Sequence, residues 1–328
     1  MNIGLDIGYS AVKVISGERR VTFSSAVGTP DKARFSLDGS KSIFLVHPDH
    51  VQVGEGAIAQ SRFLRQREDR RWVESDEWYN LFLAAIAELT TASKVVLRIV
   101  TGLPVVFYDD RMAVQDRLLG NHRVQREERH AQVLQVGEAK VIPQPFGALL
   151  AMTLDNRGRI VDRNLATGTV AVIDVGGKTT NLLSVNHLSE IRGETSSVSV
   201  GAWDVVRMIR DWLSTHYPGL EELRGHQIMD TIVARETRYY GEPVNLATIV
   251  EETLEPLADQ VLAEATGLWG NGATLDAALV SGGGALLLGP YVQQYFRHAR
   301  VIPEPIFANA LGFWRFAERL APPVTKFV

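Results

Sequence analysis

The sequence contains no cysteine in its 328 residues. This absence excludes disulfide bonds, thiolate nucleophiles, cysteine-bound zinc and iron–sulfur clusters. The eight histidines are scattered and never take the H-E-x-x-H spacing or a similar arrangement of metal ligands. Cysteine-dependent catalysis and thiolate metal sites are therefore excluded by composition.

The sequence also lacks a long apolar run and a strong excess of either charge. No stretch approaches the roughly 20 apolar residues of a membrane span, and the N-terminus has no signal-peptide pattern. The formal net charge of −4 is not the electrostatic footprint of a protein that binds nucleic acid or acidic membranes. With 45% hydrophobic residues, the composition is typical of globular proteins and sufficient for two domains. We expect a cytoplasmic protein without direct nucleic-acid or membrane contact.

One motif occurs twice. Residues 5–16 read LDIGYSAVKVIS, and residues 173–184 read IDVGGKTTNLLS. When the two are aligned, Asp6 coincides with Asp174, and each carboxylate stands two residues before a glycine. Each copy has the pattern of a strand, a tight glycine turn and a second strand.

Such paired turns suit a polyphosphate. Glycines let backbone N–H groups approach an anion closely and form the amide nest that binds it. Asp6 and Asp174 stand just before the bends, where a carboxylate can hold a hydrated Mg²⁺. A single Asp-x-Gly after a strand is usually only a turn, but two equivalent copies favour a function. We predict that the hairpins grip a polyphosphate from both sides, with the metal between the carboxylates.

Other nucleotide motifs do not fit the sequence. A Walker loop requires G-x-x-x-x-G-K-[ST], and although Gly177-Lys178-Thr179 has the correct end, the first glycine would fall on Val172. No G-x-G-x-x-G follows a predicted strand and opens a helix, so a dinucleotide-binding fold has no support.

In the first half of the chain, patterning predicts strands that alternate with helices, which is typical of α/β sheets. Residues 28–54 are interpreted as a small β-rich insertion, and the charged run 62–77 as a solvated face or loop. The predicted strands are 3–7, 11–16, 21–25, 95–101, 123–129 and 131–141, and the predicted helices are 78–92, 108–119 and one beginning near Pro145.

The second half repeats this plan. A hairpin over 171–185 precedes a helical segment of about sixty residues, 203–270, which contains Pro256. The other predicted elements are strands at 196–200, 277–280 and 299–302, and helices at 202–216, from about 289, and at 309–320.

Two further positions are candidates for ligand contact. Because Pro145 suits the first turn of a helix, Gln144 lies at a helix N-terminus, where it could hold a water against a phosphate. The run Gly282-Gly283-Gly284 after a strand lets the backbone approach a ligand, and we assign it to adenosine.

These motifs resemble the actin-like ATPase superfamily, which includes sugar kinases and heat-shock chaperones. The resemblance spans essentially the whole chain and implies two duplicated ribonuclease-H-like domains around a nucleotide cleft, each with a smaller subdomain. Within this superfamily, the sequence is most similar to ParM-type actins of plasmid segregation and their archaeal relatives. The stretches that carry the resemblance are the two hairpins, VTGLPVVFY at 100–108, VIPQPFG at 141–147, the triple glycine and ANALG at 308–312.

The resemblance also implies domain limits. The first domain would comprise 1–153 and 305–328, with a subdomain insertion at about 24–76. The second would comprise 154–304, with a helical insertion at about 203–270.

Residue roles follow from the same resemblance. Asp6 and Asp174 would hold Mg²⁺ through water, Lys13 would reach the β- and γ-phosphates, and Gln144 would orient the attacking water. Tyr9 is bulkier than the serine usual in actins, and Lys178 stands where a small residue is common. The residues expected to line the phosphates are Gly8, Tyr9, Ser10, Gly176, Gly177, Lys178 and Thr179, and those expected beneath adenosine are Gly282, Gly283 and Gly284.

The implied function is slow hydrolysis of ATP to ADP, or of another nucleoside triphosphate to its diphosphate, coupled to filament growth. The expected partners are further copies of the chain and an adaptor protein that links the filament to plasmid DNA. A cytoskeletal role is the other filament function that the resemblance implies. Two alternatives remain open, a small-molecule kinase of the same superfamily and a non-polymerising nucleotide switch or scaffold. Pelleting with different nucleotides distinguishes the filament from both alternatives, and kinase activity without a polymer would favour the kinase.

Overall fold

The computed structural model describes residues 1–32, 42–65 and 70–321. They divide into two compact units, Met1–Ala166 with Phe307–Val328, and Thr167–Ile306. Residues 154–166 thus belong to the first unit, where Leu154 bridges Ile160 and Arg315 bonds to Asn156. The resemblance had assigned them to the second domain.

The described residues form eighteen strands and ten α-helices. The strands are β1 (Asn2–Ile7), β2 (Ala11–Ser16), β3 (Arg19–Ser24), β4 (Val27–Gly28), β5 (Ile43–His47), β6 (Val51–Val53), β7 (Leu64–Arg65), β8 (Lys94–Leu103), β9 (Gly120–Arg126), β10 (Gln132–Pro143), β11 (Thr169–Val175), β12 (Thr180–Asn186), β13 (Ser189–Glu190), β14 (Ser196–Val198), β15 (Glu236–Tyr239), β16 (Glu242–Asn245), β17 (Ala277–Ser281) and β18 (Ala299–Val301). The helices are α1 (Glu55–Gln60), α2 (Asp76–Leu89), α3 (Arg111–Leu118), α4 (Gln144–Thr153), α5 (Arg163–Thr167), α6 (Ala202–His216), α7 (Gly225–Ala234), α8 (Ala247–Trp269), α9 (Ala285–Tyr295) and α10 (Ala308–Leu320).

The first unit is built on a ten-stranded mixed sheet in the order β3-β2-β1-β8-β10-β9-β5-β6-β4-β7. Parallel pairing of β1 with β8 and of β8 with β10 forms its centre. The buried helix α2 packs on one face of these strands, and Ser75 caps it by accepting a hydrogen bond from Trp78 N at 3.2 Å. Helices α4 and α10 pack together around Val100, and α10 also packs around Ile15. The central strands are therefore covered on both sides.

The helices α4 and α10 cross at two glycines. A Cβ atom on Gly312 would lie 1.8 Å from the carbonyl oxygen of Gly147, and one on Gly4 would lie 2.0 Å from that of Ala310. No side chain fits at such separations, so these positions hold α10 directly against β1 and α4. This packing fixes the N-terminus of α4, where Gln144 begins the helix.

The second unit has a six-stranded sheet in which β13, β12, β11, β17 and β18 follow one another and β14 also pairs with β12. The helices α6, α8 and α9 share one buried core with β11 and β17. The central strand β11 is buried from Val170 to Val175, as expected for a strand covered on both faces.

Most predicted elements are present within a few residues, but two predictions were wrong. The segment 203–270 is not helical throughout, because the hairpin β15–β16 interrupts it at Glu236–Asn245. Its turn at Gly241 and the proline Pro243 are signals that the helical interpretation passed over. Helix α8 nevertheless continues through Pro256.

The described part of the charged run 62–77 is largely exposed, in agreement with its interpretation as a solvated face or loop, and the second error concerns α9. Within 62–77, Trp72 is buried and Arg70–Glu74 forms a 3₁₀ turn, while residues 66–69 lie outside the described part. Helix α9 begins at Ala285 and contains Pro290, although the sequence indicated a start near Gly289. No helix in the described ranges is both long and apolar enough to cross a membrane.

Candidate functional site

The two predicted hairpins have the same turn hydrogen bond and the same strand register. In the first, Gly8 N donates to the carbonyl oxygen of Ala11 at 3.2 Å, and in the second, Gly176 N donates to that of Thr179 at 2.9 Å. In the strand registers, Asp6 stands opposite Lys13 and Asp174 opposite Asn181. The sequence repeat is therefore a repeat of turn and register.

The first unit brings three predicted catalytic residues into contact. Asp6 is only 3% exposed. Its Oδ1 accepts a hydrogen bond from Gln144 Nε2 at 2.6 Å, and its Oδ2 lies 3.5 Å from Lys13 Nζ. The Lys13 side chain is 15% exposed, so the ion pair is shielded from solvent. A buried carboxylate, a cation and an amide thus meet at the end of β1.

The turn of the first hairpin is anchored through its carbonyl groups. Ser25 Oγ donates to Gly8 O at 2.5 Å, and Ser25 N donates to Ser10 O at 3.0 Å. The ring of Tyr9 packs beside that of Trp72, with centroids 6.1 Å apart. A Cβ on Gly8 would lie 3.5 Å from the nearest backbone oxygen, which is ordinary contact distance. The fold does not require glycine at this position, so its missing side chain leaves the turn open to a ligand.

In the second unit, the glycine loop lies directly against the hairpin. Ser281 Oγ donates to Oδ1 of Asp174 at 3.0 Å, and Asp174 is 3% exposed. Gly282 has φ +90°, and a Cβ there would lie 2.3 Å from Val175 O. Gly284 N donates to the same oxygen at 2.9 Å. The second hairpin, which was predicted to bind phosphate, and the glycine loop, which was predicted to contact adenosine, are therefore adjacent.

Helix α6 fixes the turn of the second hairpin. Ala202 N donates to Gly176 O at 3.0 Å, and Trp203 N donates to Gly177 O at 2.8 Å. A Cβ on Gly201 would lie 2.6 Å from Lys178 N, so only glycine permits this approach. The carbonyl groups of the turn satisfy the first amides of the helix, which sets the turn's orientation. Lys178 and Thr179 are half-buried beside it.

Sequence reasoning did not assign Ser25, Ser281 or Asn181 to the site. Asn181 is buried, and its Oδ1 has no hydrogen-bond partner among the described residues. The repeat contained a signal for Asn181, because it aligns with Lys13. No local pattern marked Ser25 or Ser281, whose roles depend on contacts across strands.

A cavity of about 290 Å³ lies beside α9 in the second unit. Leu286, Pro290 and Ile232 contribute apolar walls. Tyr291 Oη donates to Glu251 Oε2 at 2.5 Å, and Arg235 pairs with the same carboxylate. Desolvation, followed by the bond to Glu251, raises the pKa of Tyr291 to about 12, and the Tyr291 bond, followed by that from Arg235, lowers the pKa of Glu251.

The acidic residues suit a hydrated ion better than a metal bound by protein alone. No group of three or more His, Cys, Asp or Glu residues suitable for a metal occurs in the described ranges. Mg²⁺ usually keeps several waters and takes one or two carboxylates together with substrate phosphates. Asp6 in the first unit and Asp174 in the second are each a buried carboxylate of the type that this donor set uses.

Comparison with known proteins gives a consistent result for both halves of the chain. The N-terminal domain of the actin-like proteins matches residues 4–147, and the C-terminal domain of the MreB-like archaeal actin homologues matches residues 172–294. An archaeal actin homolog of Thermoplasma volcanium is 25% identical over 97% of this chain and 98% of its own length. The homolog of Thermoplasma acidophilum is 24% identical over the same shares.

Solved structures show the same architecture. A crystal structure of an archaeal actin homolog superposes with a TM-score of 0.81 at 24% identity, covering 97% of this chain and 99% of that one. A complex of an archaeal actin homolog with ADP gives 0.79 at 23% identity with the same coverage. A ParM from a 15-stranded filament of Clostridium botulinum gives 0.77 at 20% identity, again over 97% and 99%. The predicted α/β actin-like fold is confirmed, and the chain is a prokaryotic actin-like protein.

Proposed function

We propose that this protein is an ATPase that binds ATP through both hairpins and hydrolyses it slowly. Members of the actin-like superfamily are typically ATPases, and one archaeal homolog has been crystallised with ADP. The observation that carries the proposal is the buried Asp6–Lys13–Gln144 cluster, together with a second turn of equal geometry at Asp174.

The charge pattern supports a metal-bound triphosphate as ligand. Asp6 and Asp174 would hold the ion through water, and the bound ion would neutralise charge on the phosphates. Lys13 would donate to oxygens of the β- and γ-phosphates. Amides of the two turns would contact the phosphates at Tyr9, Ser10, Gly177, Lys178 and Thr179. Gly8 and Gly176, whose N–H groups bond within the turns, would line the phosphates through the space left by their missing side chains.

Gln144 is the proposed positioner of the attacking water. Its Nε2 donates to Asp6, which leaves Oε1 as the atom that accepts a hydrogen bond from water. An amide cannot act as a general base at pH 7, so it orients the water and does not deprotonate it. Hydrolysis is therefore slow and depends on alignment.

The nucleoside is proposed to lie along the glycine loop and in the cavity beside α9. Helix α9 begins immediately after Gly284, so the cavity is close to the loop in sequence. Its volume of about 290 Å³ is near the lower end of small-molecule pockets, which begin at about 300 Å³. Apolar walls suit the faces of a base, and Glu251 and Tyr291 suit its polar edge or the ribose.

The variant Tyr291→Phe tests this assignment. Loss of one hydroxyl that bonds to Glu251 should weaken ATP binding about threefold, measured with a fluorescent ATP analogue. The exposed Tyr295→Phe is the control. Equal affinity of the two variants would move the nucleoside out of this cavity.

The proposed activity is coupled to self-assembly. Solved relatives include a ParM filament and an Alp12 filament, which supports self-association as the mode of action. We propose that ATP favours filament growth and that hydrolysis favours disassembly. With a net charge of −4, a link to plasmid DNA would require an adaptor protein.

Phosphate release and pelleting with ATP, ADP and a non-hydrolysable ATP analogue test the proposal together. We expect Mg²⁺-dependent phosphate release and a polymer with ATP that is less stable with ADP. Turnover without a polymer under any nucleotide would favour the switch or scaffold. Phosphate transfer to an added hydroxyl compound would favour the kinase. Absence of nucleotide binding would reject all three.

A further inference from the structure

The backbone amides of a phosphate-binding turn donate to an anion only if they point toward it. Across a trans peptide bond, the carbonyl of one residue and the N–H of the next point in opposite directions. A contact that fixes a carbonyl group therefore also fixes the direction of the following amide. In both hairpins, carbonyl groups of the turn are held by donors from another segment of the same unit.

In the first turn, one residue holds two carbonyl groups. Ser25, which directly follows β3, donates from Oγ to Gly8 O at 2.5 Å and from its backbone N to Ser10 O at 3.0 Å. Ser25 is only 2% exposed, so both carbonyl groups point toward the interior of the unit. The N–H groups of the next residues, Tyr9 and Ala11, consequently point away from Ser25 and from the interior.

In the second turn, a helix makes the equivalent contacts. Ala202 N donates to Gly176 O at 3.0 Å, and Trp203 N donates to Gly177 O at 2.8 Å. These donors belong to the first turn of α6, whose amides have no partner within the helix. The N–H groups of Gly177 and Lys178 therefore point away from α6. Backbone groups hold both carbonyls of this turn, whereas the first turn depends on a side-chain hydroxyl for one of them.

The peptide between Gly8 and Tyr9 is the one that the hydroxyl controls. Glycine rotates about its backbone bonds more freely than any other residue. A Cβ at Gly8 would make only ordinary contacts, so steric crowding does not fix this peptide. Without the hydroxyl, the peptide could rotate and turn its carbonyl oxygen outward. A carbonyl oxygen and a phosphate oxygen are both acceptors, so the rotated turn would repel the anion that it should bind.

We propose that Ser25 is the positioning residue of the first phosphate turn. Its hydroxyl holds the Gly8–Tyr9 peptide so that Tyr9 N–H donates to an oxygen of a diphosphate or triphosphate. The inference rests on the proposed binding of ATP by the hairpins. Because Ser25 is buried, it acts through the peptide and not by contact with the ligand. An amide that already points at the phosphate binds it without the cost of reorganising the turn.

The variant Ser25→Ala tests the proposal against a matched change in the same hairpin. Ser16 Oγ donates to Asn2 O at 2.7 Å at the opposite end of the two strands, so Ser16→Ala removes a similar bond away from the turn. Both variants should lower the melting temperature by similar amounts. Only Ser25→Ala should weaken ATP binding, by about tenfold, measured with a fluorescent ATP analogue below both melting temperatures. Ser25→Thr, which keeps the hydroxyl, should restore affinity.

Selective ¹⁵N labelling of tyrosine follows the amide itself and needs no variant of Ser25. The chain has eight tyrosines, and Tyr9→Phe identifies the Tyr9 signal. Addition of Mg²⁺ and ATP should move the Tyr9 amide proton downfield, as a new hydrogen bond to phosphate does. Pyrophosphate is the second probe, because it presents phosphate oxygens without a nucleoside.

The outcomes separate this inference from the proposed function. ATP binding with an unmoved Tyr9 amide, or equal ATP affinity of Ser25→Ala and Ser16→Ala, would overturn the inference and leave the proposed function intact. If ATP does not bind but pyrophosphate moves the Tyr9 signal in the wild type, the turn is oriented as proposed and only the nucleotide function fails. If neither compound moves this signal, the inference is wrong.

Discussion

The two hairpins have the same turn hydrogen bond and strand register and differ in the side chains around the carboxylate. In the first, Asp6 faces a cation and an amide, Lys13 and Gln144. In the second, Asp174 accepts a hydrogen bond from Ser281, and the register position of Lys13 is occupied by Asn181. The register position opposite the carboxylate is therefore a lysine in the first copy and an asparagine in the second, and the second copy also lies against the glycine loop.

The two copies thus combine the same turn with different chemistry around it. The turn geometry depends on short backbone hydrogen bonds, which Gly8 and Gly176 both make. The surrounding side chains come from separate elements, α4 in the first unit and β17 in the second. Changes in those elements could alter one copy without breaking either hairpin. We propose that both copies supply a carboxylate for the ion, that the first copy adds Lys13 and Gln144, and that the second adds contacts of the glycine loop with the nucleoside.

The largest expected effect comes from removing either carboxylate. Asp6→Asn and Asp174→Asn retain the side-chain shape and an acceptor for the local hydrogen bond. Each should reduce Mg²⁺-dependent phosphate release about 100-fold or more, because charge stabilisation in a closed site is worth several kcal/mol. Asp211→Asn, on the exposed face of α6, is the control. Unchanged turnover in one variant would mean that only the other hairpin binds the ion.

Making the first hairpin resemble the second should weaken nucleotide binding. Lys13→Asn removes the cation, and we expect ATP affinity to fall about 10- to 100-fold, the value of a charge-assisted hydrogen bond. Isothermal titration with ATP measures it, and the exposed Lys140→Asn is the control. If Lys13→Asn binds ATP as tightly as the control, the proposed asymmetry between the hairpins is wrong.

Removing the amide should affect the rate more than binding. Gln144→Ala leaves the phosphate contacts in place, so we expect ATP affinity within about twofold and hydrolysis slowed about tenfold. Single-turnover phosphate release separates the two quantities. A variant that loses affinity and keeps its rate would identify Gln144 as a binding residue.

The smallest expected effect is a difference in folding stability between alanine substitutions at the two turn glycines. A Cβ on Gly176 would lie 2.8 Å from Thr179 O, whereas one on Gly8 would lie 3.5 Å from Ala11 O. Gly176→Ala should therefore cost about 1–3 kcal/mol and lower the melting temperature by several degrees. Gly8→Ala should melt as the wild type does but bind ATP less tightly. Equal melting temperatures for the two variants would contradict the difference in space.

Local signals made the hairpins and most of the secondary structure predictable. Alternating apolar residues around Asp6 and Asp174, with glycines at the bends, indicated strands and turns without knowledge of the rest of the chain. Proline and glycine marked the start of α4 and the loop before α9. Where such signals were weak, as at the hairpin β15–β16, helical periodicity in the flanking segments prevailed and the prediction was wrong.

By itself, the sequence determined the duplicated turn, the identities of the candidate residues and the α/β character, because each depends on residues adjacent in the chain. Only the tertiary structure decided that Gln144 contacts Asp6, that Ser281 contacts Asp174 and that α4 crosses α10 at Gly147 and Gly312. Those contacts join residues far apart in the chain. Their geometry follows from how helices and strands pack, which no local pattern encodes.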